Sequence, residues 1–284
     1  MLNVARSIDV AGLPTRYFET GTGTQHLLFI HGGARSGLIC STALAWDLNF
    51  NRFAETFRTL ALDIPGHSAT ACAGENDGPL YFAVEHLAAF IKATALRKPH
   101  LVGHDEGGLA ALYFALKQPE LVGSVTLIGS CAAPLGDAVP NLALQGAPYP
   151  LLSPTSQAWV LERSSYSEHH VTQGRYLAEL VRLGEKTSPD IEQERSAKLR
   201  ATIGRVKSET YALLREEGVA VPTLLVWGLE DPIVPLDNAL ALYRLLQPRQ
   251  RNAQLRVINR AGNMPFREQP DIFQDMVTSF VAAL

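Results

Sequence analysis

The sequence predicts an α/β protein, a doubly wound and mainly parallel sheet carrying an inserted helical cap. Short β-branched or apolar runs alternate with helical patterns along most of the chain. The alternation stops near Ser130 and resumes near Pro222, with helical patterns alone between them. The chain has 284 residues, 46% of them apolar, which is enough for one large core and an insertion.

Taken in order, "HLLFIHGG" (His26 to Gly33) predicts a strand that ends in a glycine turn. "FRTLALDIPGH" predicts a second strand and loop, and "HLVGHDEGG" a third strand running straight into the helix "GLAALYFALKQPE". "VGSVTLIGS", "PTLLVWGLED" and "AQLRVINRAGN" supply three more strands. Helices "FAVEHLAAFIKAT", "DNALALYRLL" and "PDIFQDMVTSFVAA" fall between or after them. After Ser130 the Pro-, Gly- and Ala-rich stretch "CAAPLGDAVPNLALQGAPYPLLSP" leads into helical patterns around 157–163, 169–183 and 191–215. The expected organisation is a core domain of residues 1–132 and 219–284 with a helical cap at 133–218. In such sheets ligands bind beyond the carboxyl ends of the strands.

Composition narrows the partners. The net charge of −3 is spread along the chain without a Lys/Arg run, which argues against nucleic acid or an anionic membrane surface. The apolar runs are too short to span a bilayer, and "MLNVARSIDV" lacks the features of a signal peptide. Cys40, Cys72 and Cys131 have neither metal spacing nor an even framework, so reduced thiols and a cytoplasmic location are expected. No His, Asp or Cys cluster has metal-ligand spacing. A small-molecule substrate is the expected partner, and a homo-oligomer stays open.

Gly103-His104-Asp105-Glu106-Gly107 has the G-x-nucleophile-x-G spacing at a strand-to-helix junction. Small flanking residues permit the strained turn that lifts one side chain above the sheet edge. A strand-end aspartate can also be a plain helix cap, but a cap does not explain the paired glycines. Gly33, closing the "HGG" turn, can present its N–H beside that of Glu106 as an oxyanion hole. Asp231, in "WGLEDPIVP", follows a strand and can orient a group on the next loop; its bland reading is an Asp-Pro turn. The chain order Asp105, Asp231, Asn263 is that of nucleophile, acid and base.

These stretches together resemble an α/β-hydrolase over nearly the whole chain, and most closely the meta-cleavage product (carbon–carbon bond) hydrolases. The resemblance is carried by "HGG", "LAWDLNFNRFAETFRTLALDIPGHS", "KPHLVGHDEGGLAALYFALKQPELVGSVTLIGS", "VTQGRYL", "WGLEDPIVPLDNALAL" and "QLRVINRAGNMPFREQPDIFQDMVTSFV". It implies the α/β-hydrolase fold and no cofactor. It implies that Arg175, next to Tyr176, binds a substrate carboxylate through its guanidinium fork; the bland reading is a solvated helix arginine. Asn49 falls near a family active-site asparagine, and His31 lies by the oxyanion loop.

Two departures matter. The family's serine is Asp105 here and its histidine is Asn263, with Met264 in place of the aromatic residue that follows. Aspartate at this turn is similar to haloalkane dehalogenases and epoxide hydrolases, in which a carboxylate attacks a saturated carbon and a histidine-activated water frees the ester. However, Glu106 stands where dehalogenases carry a halide-binding tryptophan, and "HGGA" lacks the epoxide hydrolase proline. An epoxide-protonating tyrosine would be Tyr149, Tyr166, Tyr176 or Tyr211. An amide cannot serve as the missing base. Among other histidines, His104 is expected to point away from the pocket, His67, His86 and His100 to be structural, and His169 and His170 to be solvated. Trp46, Trp159 and Trp227 are expected to pack.

Three readings stay open. Asp105, its pKa raised by burial, could perform acid/base lyase, cyclase, isomerase or atypical hydrolase chemistry on a small oxygenated carbonyl or carboxylate compound. The chain could be a trapping variant of an Asp-nucleophile hydrolase, with Asn263 in place of a histidine. Or the fold could bind a ligand without turnover.

Overall fold

The computed structural model describes residues 4–65, 78–134, 142–250 and 252–284; His67 and Cys72 lie outside them. Eight strands form one sheet: β1 (Arg6–Val10), β2 (Leu13–Thr20), β3 (Gln25–Ile30), β4 (Phe57–Leu62), β5 (His100–His104), β6 (Ser124–Ile128), β7 (Thr223–Gly228) and β8 (Ala253–Ile258). Their order is β1-β2-β4-β3-β5-β6-β7-β8, antiparallel at β1–β2 and β2–β4 and parallel elsewhere. The antiparallel pair β1 and β2 precedes the first strand expected from the sequence. β1 exposes most of its side chains, so it lacks the apolar run that marks the inner strands.

Helices α1 (Phe50–Phe53), α2 (Pro79–Ala93), α3 (Asp105–Lys117), α4 (Pro154–Arg163), α5 (Tyr176–Gly184), α6 (Pro189–Glu216), α7 (Leu236–Leu246), α8 (Pro265–Glu268) and α9 (Pro270–Ala282) complete the chain. Between β6 and β7 the described residues contain helices and no strand. α5 begins later than the 169–183 pattern suggested, because Gly174 takes a left-handed backbone (φ 72°) and turns the chain just before it.

Strand alternation sorts the core onto two faces. Leu28 and Ile30 of β3 pack with α2, α3, α6 and α7, while Leu27 and Phe29 face a second cluster. That second cluster is aromatic: Trp46 lies 4.7 Å from Phe29 and 4.2 Å from Phe266, between ring centroids. Trp227 is also buried and donates its indole N–H to Val234 O, and Trp159 packs against the second cluster.

Register sets the functional edge. Ile30 pairs with Gly103, Gly103 with Leu127, Ile128 with Val226, and Gly228 with Ile258. The parallel strands therefore end level, and Gly33, Asp105, Asp231 and Asn263 emerge at one edge. Among the described residues no helix is long and apolar enough to cross a membrane.

Arg267 joins the sheet domain to the inserted helices. It is 1% exposed, and its guanidinium donates to Ala45 O, Asp47 Oδ1 and Gln173 O at 2.8, 2.6 and 3.0 Å while lying 5.0 Å from the Tyr176 ring centroid. Removing one partner of a buried ion pair leaves an uncompensated charge, which costs about 3–5 kcal/mol. Arg267→Met should lower unfolding stability by that order in urea titration.

Candidate active site

β5 runs into α3 with no loop between them, and Asp105 at the junction has φ +47°, a left-handed backbone rare outside glycine. The turn is possible because its neighbours lack side chains. A Cβ on Gly103 would fall 2.5 Å from Gly107 O, and one on Gly107 would fall 2.3 Å from His31 O. Asp105 is 2% exposed and faces a cavity of about 460 Å³. Gly33, Arg35, His104, Tyr176, Arg200, Asn263 and Met264 share its wall.

Arg35 determines the charge of Asp105. Its Nε donates to both carboxylate oxygens at 2.8 Å. Burial pushes the Asp105 carboxyl up, but the Arg35 charge and the hydrogen bonds outweigh it, so the group sits below the ordinary carboxylate range. The expectation of a raised Asp105 pKa is thereby corrected: the carboxylate is ionised. Its neighbour Glu106 is pushed up to about 8, by burial first and then by the Asp105 charge.

The loop after β7 brings Asp231 to the same edge, 5% exposed. Asp231 Oδ1 accepts the N–H groups of Ile233 and Val234 at 2.8 and 2.9 Å. The Asn263 amide nitrogen donates to Asp231 Oδ2 at 3.0 Å. Gly129 makes room for this pair, since a Cβ there would lie 2.8 Å from Asn263 Nδ2. Burial, only partly offset by these hydrogen bonds, raises the Asp231 carboxyl to about 7.

His104 departs from expectation. It lines the cavity, and its Nε2 lies 3.0 Å from Asn263 Oδ1 and 3.1 Å from Asn263 O. Both facing atoms are carbonyl oxygens, so Nε2 carries the proton and donates. Burial lowers its pKa below the ordinary imidazole value, leaving a neutral ring. A chain from His104 through Asn263 to Asp231 thus fixes both the position and the flip of the amide.

The expected oxyanion hole is occupied. Gly33 N–H donates to Glu106 Oε2 at 2.9 Å and Ala34 N–H to Glu106 Oε1 at 2.7 Å, and the backbone N–H of Glu106 also lies against this carboxyl. Gly33 lines the cavity, but its donor is engaged by the chain itself.

Several other expected residues are not brought to the cavity. Arg175 is exposed; it precedes α5 and its backbone N–H donates to Asp47, so the Gln-Gly-Arg turn serves as an anchor. Asn49 is buried away from the cavity and donates to Phe266 O at 2.7 Å, packing the loop after β8. His31 is likewise a buried structural residue, with Nδ1 3.1 Å from Ser41 Oγ and Nε2 accepting from Ile64 N–H at 3.0 Å. His170 is buried beside Ser165, correcting the solvated expectation, whereas His169 is exposed. Of the four tyrosines, Tyr176 alone lines the cavity; Tyr149 and Tyr166 are exposed, and Tyr211 donates to Ala132 O at 2.7 Å. Met264 lines the wall as expected. Arg35 and Arg200 were not singled out in the sequence. The only trace of Arg35 there is a basic residue directly after "HGGA". Among the described residues no group of three or more His, Cys, Asp or Glu side chains could hold a metal ion.

The model of the alpha/beta hydrolase fold family matches residues 25–270. The chain belongs to the alpha/beta hydrolase fold family. A 2-hydroxy-6-oxononadienedioate/2-hydroxy-6-oxononatrienedioate hydrolase from Dechloromonas aromatica is 28% identical to this α/β-hydrolase-fold protein, over 95% of this chain and 91% of the relative. The dihydrolipoyllysine-residue acetyltransferase component of an acetoin cleaving system from Cupriavidus necator is 26% identical over 95% of this chain and 67% of its own length. Among solved structures, a meta-cleavage product hydrolase from Pseudomonas fluorescens IP01 matches with a TM-score of 0.79 at 25% identity, covering 100% of this chain and 99% of that one. The similarity to meta-cleavage product hydrolases therefore extends along nearly the whole α/β-hydrolase chain.

Two measurements check the electrostatics. Arg35→Met removes the largest force opposing burial, so carbon-13 NMR should show the Asp105 carboxyl titrating above the ordinary carboxylate range. Asp231 has a folded pKa of about 7, above its unfolded value of about 4. Its contribution to stability is therefore full below about pH 4 and is lost as pH rises through 7. Asp231→Asn should remove that part of the decline in Tm in melts taken across this window.

Proposed function

We propose that this α/β-hydrolase-fold protein is an enzyme whose ionised Asp105 is the reactive carboxylate. Its substrate is a small oxygenated carbonyl or carboxylate compound, and the chemistry is not serine-type acyl transfer. The carrying observation is a carboxylate, 2% exposed, held at a strained turn by Arg35 and facing a cavity of about 460 Å³. Two carboxylates buried at one edge, Asp105 and Asp231, would be costly for a simple binder of apolar ligands.

Attack of Asp105 on an acyl carbon would give an anhydride, so an ester or ketone is a poor partner for it. Proton abstraction avoids that intermediate, and the lowered pKa of Asp105 restricts it to an acidic O–H or a strongly activated C–H proton. A C–H or O–H proton passes to Asp105 and the electron pair moves toward the substrate's carbonyl oxygen. Tyr176 supplies a donor for that oxygen: its hydroxyl is buried at the cavity wall, and burial raises it to about 12, so it stays protonated. Asn263, held by His104 and Asp231, offers an amide rather than a base. The helices between β6 and β7 are read as a cap over this site, with α4, α5 and α6 contributing Val160, Tyr176 and Arg200 to its wall. The likeness to hydrolases of 2-hydroxy-6-oxo dienedioates supports an oxygenated, conjugated carbonyl substrate.

A second reading has one observation in its favour. A carboxylate that stays ionised at the turn also suits attack on a saturated carbon, as an Asp nucleophile does. The resulting ester would persist, since Asn263 cannot activate water.

Asp105→Asn separates these readings. In the first, turnover of 2-hydroxy-6-oxo dienoates or related carbonyl compounds falls by about 10²–10⁴, and intact-mass spectra of the unmodified chain show no adduct. A stable mass increment on Asp105 with epoxides or alkyl halides supports the second. Turnover unchanged by the substitution rules out both.

A further inference from the structure

Glu106 is 1% exposed and follows Asp105 directly, yet its carboxyl is absent from the cavity wall. Both of its oxygens are spent on backbone donors: Oε2 on Gly33 N–H at 2.9 Å and Oε1 on Ala34 N–H at 2.7 Å. Its own backbone N–H lies against the same carboxyl. Gly33 N–H and Glu106 N–H are the two donors that the turn geometry offers to negative charge growing on a substrate carbonyl oxygen. The Glu106 carboxyl is tethered beside these donors and already ordered on them, so a free carbonyl oxygen, which pays for its own ordering, does not displace it.

We propose that Glu106 is a specificity determinant: its side chain takes up the oxyanion-hole donors from behind the cavity wall and closes the site to acyl transfer. This rests on reading the Asp105 turn as the reaction centre. The two features agree, because a carboxylate at position 105 makes no use of an acyl-transfer oxyanion hole. The carboxyl also braces the Gly33–Ala34 turn against the start of α3, so the donors are retained in place although they are filled.

The test rebuilds acyl transfer and asks whether Glu106 blocks it. Asp105→Ser with Asn263→His supplies a hydroxyl and an imidazole beside the retained Asp231. With p-nitrophenyl acetate as probe, the new hydroxyl oxygen bonds to the carbonyl carbon and its proton passes to the imidazole. The ester C–O bond then breaks, and p-nitrophenolate leaves with the electron pair. With Glu106 present, the p-nitrophenolate burst should stay near background. Adding Glu106→Ala should raise the acylation rate about 10²-fold, the usual worth of an oxyanion-hole donor. Equal acylation rates with and without Glu106 overturn the proposal.

A second measurement needs no catalysis. Glu106→Ala alone vacates the donors, so added acetate should shift the Gly33 and Ala34 amide resonances and raise Tm, while the unsubstituted protein shows neither effect. Acetate without effect on Glu106→Ala overturns the proposal, whether or not the triple variant folds. Both readouts are independent of the natural reaction. A failed Asp105→Asn turnover test would therefore overturn the function above and leave this result standing.

Discussion

Carboxyl groups out of contact with water have to be neutralised or protonated, and this site buries three of them at one sheet edge. Asp105, Glu106 and Asp231 are 2%, 1% and 5% exposed. The Arg35 guanidinium neutralises the first, and the rest of the arrangement follows from that pairing. With the charge settled on Asp105, its neighbour Glu106 is driven toward the protonated form and turned onto backbone donors. Among the described residues no cation pairs with Asp231, which relies on two backbone N–H groups and the Asn263 amide. His104, also buried, stays neutral and donates to Asn263.

The scaffold makes this possible by bringing the ends of six parallel strands to one level. Its second fixed point is Arg267, which ties α8 to the start of α5. That contact explains why the Gln-Gly-Arg segment does not serve the cavity. Gln173 O is taken by Arg267, and Asp47 accepts the Arg175 N–H, so the segment is spent on joining two parts of the molecule. Tyr176, one residue further on, is turned inward by the same joint and reaches the wall.

Much of the fold was legible in the residues. Inner strands buried on both faces leave continuous apolar runs such as "SVTLI", and the glycine pair around Asp105 marks a turn that few other residues allow. β1 was not legible, because an edge strand with exposed side chains carries little apolar signal. At the site, Asp105, Asp231 and Asn263 could be named from motif order. Arg35 could not, since an arginine after "HGGA" is equally a surface residue until its partner is known. His104 differs for a related reason: strand alternation points it off the face that Asp105 takes, but Asn263 folds over to meet it.

From sequence alone follow the strand–helix alternation, the turn that presents Asp105, and the order of Asp105, Asp231 and Asn263 along the chain. These are local properties of residue type and spacing, and they hold wherever the chain is placed. The charge state of Asp105, the filling of the Gly33 donor by Glu106 and the withdrawal of Arg175 from the site were decided only in three dimensions. Each depends on which groups, distant in sequence, share a volume without water, and there a single guanidinium or N–H decides where a proton resides.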